Sequence, residues 1–88
     1  MKVEFRESFL RDLKKIKDKK IRKEVKRIID ELESGFSQYN IKEIKKITGY
    51  KDLYRIKMGD YRIGIKKDKE RLIFVRILHR KDIYRYFP

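Results

Sequence analysis

The sequence predicts an α+β domain. A helical hairpin should pack on one face of an antiparallel sheet, in the order strand–helix–helix–strand–strand–strand, followed by a short C-terminal helical turn. Three observations carry this expectation. Apolar residues recur at helical spacing in the first 34 positions. From Leu53 onward they recur at every second position. Gly59-Asp60 lies between two alternating runs, where a two-residue hairpin turn belongs.

Taken in order, Val3 and Phe5 alternate with Lys2 and Glu4, as in a short strand. Phe9, Leu13 and Ile16 fall at i, i+4 and i+7, predicting a helix over about residues 7–17. Lys17-Asp18-Lys19 is a charged connection. Ile21, Val25, Ile28, Ile29 and Leu32 form the apolar stripe of a second helix, and Ser34-Gly35 ends it. Two such helices joined by a short turn should run antiparallel. Ile41, Ile44 and Ile47 recur every three residues, which fits a helical turn or an irregular loop equally, and Thr48-Gly49-Tyr50 reads as a turn. Tyr54, Ile56 and Met58 alternate with Arg55 and Lys57; Tyr61, Ile63 and Ile65 alternate with Arg62, Gly64 and Lys66. After a turn around Asp68-Lys69-Glu70, Ile73, Val75 and Ile77 should face the core, and Leu72, Phe74, Arg76 and Leu78 the other side. Lys81–Phe87 is the expected helical turn, closed by Pro88.

The 88 residues form a single domain, 1–88, with no linker or repeat. There is no cysteine, so neither a disulfide framework nor a thiolate metal site is available. With one histidine, His79, a zinc site is not expected, and the reading implies no metal and no cofactor. The opening residues do not resemble a signal peptide and no apolar run is long enough to span a membrane, so a cytoplasmic protein without a membrane partner is expected. Charge is the dominant signal. Lys and Arg total 27 against 14 acidic residues, a net charge of +13, of which +9 falls in residues 42–88. A thermophile-type surface would balance its signs. This excess points to a polyanion whose phosphates the protein neutralises.

The hairpin turn sharpens this. Met58 should oppose Tyr61, Lys57 Arg62, and Arg55 Gly64. If the next hairpin pairs Lys66 with Leu72, then Gly64 opposes Phe74 and Arg62 opposes Arg76. Lys57, Arg62 and Arg76 then form a line across three strands, with Lys66 on the same face. Like charges placed opposite one another destabilise a sheet by about 0.2–1 kcal/mol per pair. A phosphate between them reverses the sign. In the adjacent row Arg55–Gly64–Phe74, the glycine leaves room for close approach and Phe74 offers a stacking surface for a base. Arg76, Phe74, Lys66 and His79 are accordingly candidate RNA-binding residues.

The segment from Ile47 to Ile63 has a Gly49-Tyr50 turn, a strand ending Arg55-Ile56-Lys57-Met58, then Gly59-Asp60-Tyr61-Arg62. Together with the ending Leu78-His79-Arg80-Lys81-Asp82-Ile83-Tyr84, it resembles the RelE/ParE toxin superfamily. The resemblance implies the toxin of a type II toxin–antitoxin pair, neutralised by a RelB-like antitoxin. In the RelE branch it implies a ribosome-dependent endoribonuclease that cuts messenger RNA in the A site. By position, Arg55 and Lys57 match the superfamily's basic strand residues, Arg62 its arginine after tyrosine, Arg80 its C-terminal basic residue and Tyr84 its C-terminal tyrosine. These five are the expected catalytic set. His79 lies near a position where other branches use histidine, and an unperturbed imidazole suits acid or base work. Two alternatives are a ParE-like poison of DNA gyrase, which would not need this set, and an inactive RNA-binding member of the fold.

RNA is cut without metal when its own 2′-hydroxyl attacks the adjacent phosphate. This requires a base, positive charge on the phosphorane, and an acid or cation at the 5′ oxygen. Lys57 is the expected base, because flanking Arg62 and Arg55 disfavour its cationic form and an arginine cannot surrender its proton. Arg62, with Arg55 or Arg76, would hold the phosphate through its forked donors. Arg80 would serve the leaving oxygen and Tyr84 would stack on or orient the RNA. The expected assembly is a monomer when free and a hetero-oligomer with the antitoxin. The antitoxin would lay a helix on the helix pair, add a strand to a sheet edge, or cover the Tyr84 tail.

Overall fold

In the computed structural model, residues 1–35 and 44–88 are described. The elements are β1 (Lys2–Phe5), α1 (Glu7–Lys15), α2 (Lys19–Ser34), β2 (Ile44–Lys46), β3 (Leu53–Met58), β4 (Tyr61–Asp68), β5 (Arg71–His79) and α3 (Ile83–Tyr86). The strands form one sheet in the order β1-β5-β4-β3-β2. The α+β arrangement of a helical hairpin on a sheet is as expected, with two differences. β1 runs parallel to β5, so the sheet is mixed, and β2 adds a strand antiparallel to β3. Ile44, read as a helical turn or loop, begins that strand, while Ile41 lies outside the described residues.

Local chemistry explains the helices. Asp18 caps α2, its carboxylate accepting from the Lys20 amide at 2.9 Å and the Ile21 amide at 3.4 Å. This is the usual work of an acidic residue immediately before a helix. The Lys17-Asp18-Lys19 connection is therefore a start signal as well as a linker. Val25, Ile28 and Leu32 from α2, and Phe9 and Ile16 from α1 and its end, pack with Ile56, Met58, Ile63, Ile65, Leu72, Phe74 and Ile77. Phe9 is fully buried against the rings of Phe5 and Phe74, with centroids 5.7 and 5.3 Å away. Phe9→Ala should therefore cost about 3–5 kcal/mol, read as a lower denaturant midpoint with an unchanged slope.

α1 also completes the sheet. β1 ends at Phe5, and among the described residues no strand neighbours the remainder of β5 on that side. The helix supplies the missing partners from its own side chains. The Ser8 hydroxyl donates to the Val75 carbonyl at 2.6 Å, and the Ile77 amide donates to the Asp12 carboxylate at 3.1 Å.

The first hairpin has the expected register, with Met58 opposite Tyr61, Lys57 opposite Arg62 and Arg55 opposite Gly64; Gly59 takes φ 55° in its turn. The second hairpin differs. Its loop is Lys69-Glu70, so Lys66 opposes Ile73 rather than Leu72. A bulge then makes Ile65 oppose Phe74 and Gly64 oppose Arg76, leaving Val75 as the extra residue on β5. Beyond it, Arg62 opposes Leu78.

Candidate nucleic-acid interface

Alternation along β3 and β4 turns Lys57, Arg62, Arg55 and Gly64 away from the helices. This outer face carries two rows. One runs Lys57–Arg62–Leu78; the other runs Lys45–Arg55–Gly64–Arg76 across four strands. The expected opposition of Arg62 and Arg76 is not formed, because the bulge moves Arg76 into the second row. The adjacency of Lys57 and Arg62 is formed. Lys45 is a further exposed cation of this face. Its signal was concealed because a three-residue strand carries too little alternation to register.

Several expected RNA contacts have other occupations. Phe74 is not a stacking surface: the shifted register turns it to the helices, where it is fully buried against Phe9. Arg76 donates to Asp12 through Nε at 2.7 Å and Nη2 at 3.0 Å, an ion pair whose carboxylate residue is only 6% exposed. Its charge is therefore spent within the chain. Lys66 lies 4.0 Å from Asp52. Arg71 sits between Glu4 and Asp68, and its guanidinium holds the Asp68 carboxyl below the usual carboxylate range. His79 opposes Tyr61, with ring centroids 5.9 Å apart, and its Nδ1 accepts from the Lys81 amide at 3.2 Å. Pairing with Tyr61 places it on the helix side of the sheet, away from Lys57 and Arg62. A histidine one residue earlier, where Leu78 stands, would share their row.

The positive charge left available gathers around the Gly59-Asp60 turn. Among the described residues, no acidic side chain pairs with Lys57, Arg62 or Arg55. Arg62 folds its Nη1 onto the carbonyls of Gly59 and Tyr61, at 2.7 and 2.9 Å, which fixes the guanidinium beside the turn. Arg80 is tied to the same turn: its amide donates to the Asp60 carbonyl at 2.7 Å, and its Nε lies 3.8 Å from the Asp60 carboxylate. Both side chains of that pair are about two-thirds exposed, so the contact contributes about 0–1 kcal/mol and a phosphate can displace it.

The outer face is partly covered by the C-terminal tail. α3 crosses β5 and β4. Ile73, Ile83 and Phe87 are buried yet lie outside the main core. The Phe87 ring occupies the space above Gly64 that was expected to admit a nucleotide. Tyr84 remains exposed with the Arg55 guanidinium 4.9 Å from its ring centre, and Tyr86 stands likewise 5.2 Å from Arg76. The expected set Lys57, Arg62, Arg55, Arg80 and Tyr84 thus gathers at one end of this face, while Phe74, Arg76, Lys66 and His79 do not join it as free groups. No helix among the described residues is long and apolar enough to cross a membrane.

This architecture matches known proteins over nearly its whole length. Residues 3–84 match the family described as ParE toxin of the type II toxin–antitoxin system parDE. The chain is 49% identical to the protein named Toxin RelE3 of Methanocaldococcus jannaschii, covering all of both chains. It superposes on a chain in the crystal structure of a RelB-RelE antitoxin-toxin complex from Methanococcus jannaschii. That match has a TM-score of 0.82 and 48% identity, over 97% of this chain and 99% of that one. A chain of the Escherichia coli DinJ-YafQ complex shares the fold at a TM-score of 0.63 and 15% identity, over 98% of this chain and 97% of that one. With the outer-face cations and the tail in place on this sheet, the matched sequence and architecture show that the chain belongs to the RelE/ParE toxin superfamily.

Proposed function

We propose that this chain is the toxin of a type II toxin–antitoxin pair and acts as an endoribonuclease on messenger RNA in the ribosomal A site. The observation that supports this reading most directly is the side-by-side placement of Lys57 and Arg62 on the outer sheet face, with no acidic partner among the described residues. Two cations held opposite each other destabilise a free sheet, and a phosphodiester between them offsets that cost. In the proposed reaction Lys57 takes the proton of the 2′-hydroxyl as its oxygen attacks phosphorus. Arg62 and Arg55 carry the growing charge on the non-bridging oxygens, and Arg80 serves the departing 5′ oxygen. The P–O5′ bond breaks, and the departing oxygen, its charge held by Arg80, takes a proton from solvent to leave a 2′,3′-cyclic phosphate and a 5′-hydroxyl. Tyr84 stacks on or orients the RNA. The nucleophile belongs to the substrate, so the reaction needs no metal.

The set contains no strong acid–base pair, so substrate positioning must supply much of the rate, a contribution that reaches about 7–11 kcal/mol. Cleavage of naked RNA should accordingly be far slower than cleavage of a translated message. Equal rates on the two substrates would refute ribosome dependence. The deciding experiment is expression in cells with mapping of new RNA 5′ ends, alongside Lys57→Ala and Arg62→Ala controls. Ends inside translated codons that vanish in both controls support the reading. Toxicity that persists without such ends, and survives alanine at Lys57, Arg62 and Arg80 together, favours a gyrase poison instead.

The partner in this reading is a RelB-like antitoxin. The net charge of +13 calls for an acidic or amphipathic segment, laid on the helix pair or covering the tail.

A further inference from the structure

A four-residue helix cannot hold itself together, because one turn recovers too little hydrogen bonding for the dihedrals it fixes. α3 must therefore be held by what it touches. Its two tyrosines face outward, with Tyr84 68% and Tyr86 53% exposed, while the residues bracketing the turn, Ile83 and Phe87, are buried. Phe87 is last in line before the terminal proline and lies directly on Gly64. A β-carbon at Gly64 would fall within 2.7 Å of three carbons of the Phe87 ring. Gly64 does not have the positive φ that favours glycine at Gly49 and Gly59, so only the space it leaves requires the absence of a side chain. Its neighbours across the strands, Arg55 and Arg76, are the two arginines that stand over Tyr84 and Tyr86. The row Arg55–Gly64–Arg76 thus meets three aromatic rings of the tail, with the central ring seated in a socket and the outer two flanked by guanidinium groups.

The geometry points to Phe87 as a positioning residue: seated on Gly64, it fixes α3 so that Tyr84 stands beside Arg55 at the edge of the cation cluster. The inference rests on the reading of Tyr84 as a group that meets RNA. Phe87 itself is buried and touches no substrate. Because it lies outside the main core, its seat can be emptied without dismantling the helices and the inner sheet face.

The test uses the full-length chain with Gly64→Ala, Phe87→Ala and the conservative Phe87→Leu. Tyr84 ring signals and the Arg55 side-chain Nε are followed by NMR, and single-turnover cleavage is measured on programmed ribosomes. Gly64→Ala and Phe87→Ala should move the Tyr84 signals toward those of free tyrosine and abolish the Arg55 contact. They should slow single turnover by about 10- to 100-fold, with the half-saturating ribosome concentration within about twofold, since misplacing a group by an ångström costs rate more than binding. Phe87→Leu should restore most of the rate. In a Tyr84→Ala background, Gly64→Ala should add no further loss, because both act through one ring. Unchanged Tyr84 signals in Gly64→Ala, or equal slowing by Gly64→Ala with and without Tyr84, would overturn the inference. If Tyr84→Ala alone cuts at full rate, the RNA reading of Tyr84 fails, and the NMR signals still support or overturn the seating of α3 by Phe87.

Discussion

Lys57→Ala should lower the single-turnover rate of message cleavage by about 10²–10⁴-fold, the usual contribution of a positioned proton acceptor. The fold should not suffer. Lys57 is exposed and makes no ion pair among the described residues, and its removal relieves repulsion with Arg62. Stability should stay within about 0.5 kcal/mol of the parent or rise slightly. Activity and stability moving in opposite directions is the signature of a site maintained for its substrate. Arg62→Ala should cause a comparable loss of rate. Arg62→Lys should not repair it, because the parent guanidinium spends Nη1 on the Gly59 and Tyr61 carbonyls and still offers other donors, which an ammonium cannot do from one fixed position. Single-turnover kinetics with urea denaturation of each variant checks both halves. A Lys57→Ala protein that cuts at the parent rate refutes the base assignment.

A second large effect, this one on stability, should come from Asp12. Its carboxylate takes two hydrogen bonds from Arg76 and one from the Ile77 amide, at the point where α1 replaces a missing strand. Asp12→Ala leaves a largely covered guanidinium and a buried amide without their acceptor. The expected cost is about 3 kcal/mol, discounted for the part of Arg76 that reaches solvent. For a domain of this size the melting temperature should fall by about 12–24 °C. Asp12→Asn keeps an acceptor oxygen for Ile77 and should lose roughly half as much. Calorimetry of the two variants tests the ordering, and equal melting temperatures for Asp12→Ala and the parent would show that the ion pair contributes nothing net.

The first hairpin was legible because Gly59-Asp60 sets both loop and register, so the adjacency of Lys57 and Arg62 followed directly from the sequence. The second was not, and the reason lies in four residues. Leu72-Ile73-Phe74-Val75 is apolar throughout, so alternation cannot say which two face the helices. The bulge at Val75 swaps the faces partway along the strand, which turned Phe74 inward and carried Arg76 out of line with Arg62. β2 escaped notice because three residues, two of them lysines, read equally as loop. The parallel pairing of β1 was hidden because alternation reports a strand and its faces but not its neighbour's direction. The sequence points to Gly64 as room for RNA to approach, and the ring that approaches is the chain's own. That the chain fills it with its own Phe87 depends on where the tail turns after His79, and local patterning does not record that.

The parallel contact between β1 and β5 also governs when this protein can exist as a folded object. Among the described residues the first strand in chain order pairs with the last, Val3 meeting Leu72 and Phe5 meeting Phe74. Until β5 has left the translating machinery, the amino-terminal segment has no sheet to join, and Arg55 and Arg76 on either side of Gly64 have no common platform. Vectorial synthesis therefore delays assembly until β5 has emerged. Under the proposed activity, a nascent chain should leave its own message uncut until β5 has emerged.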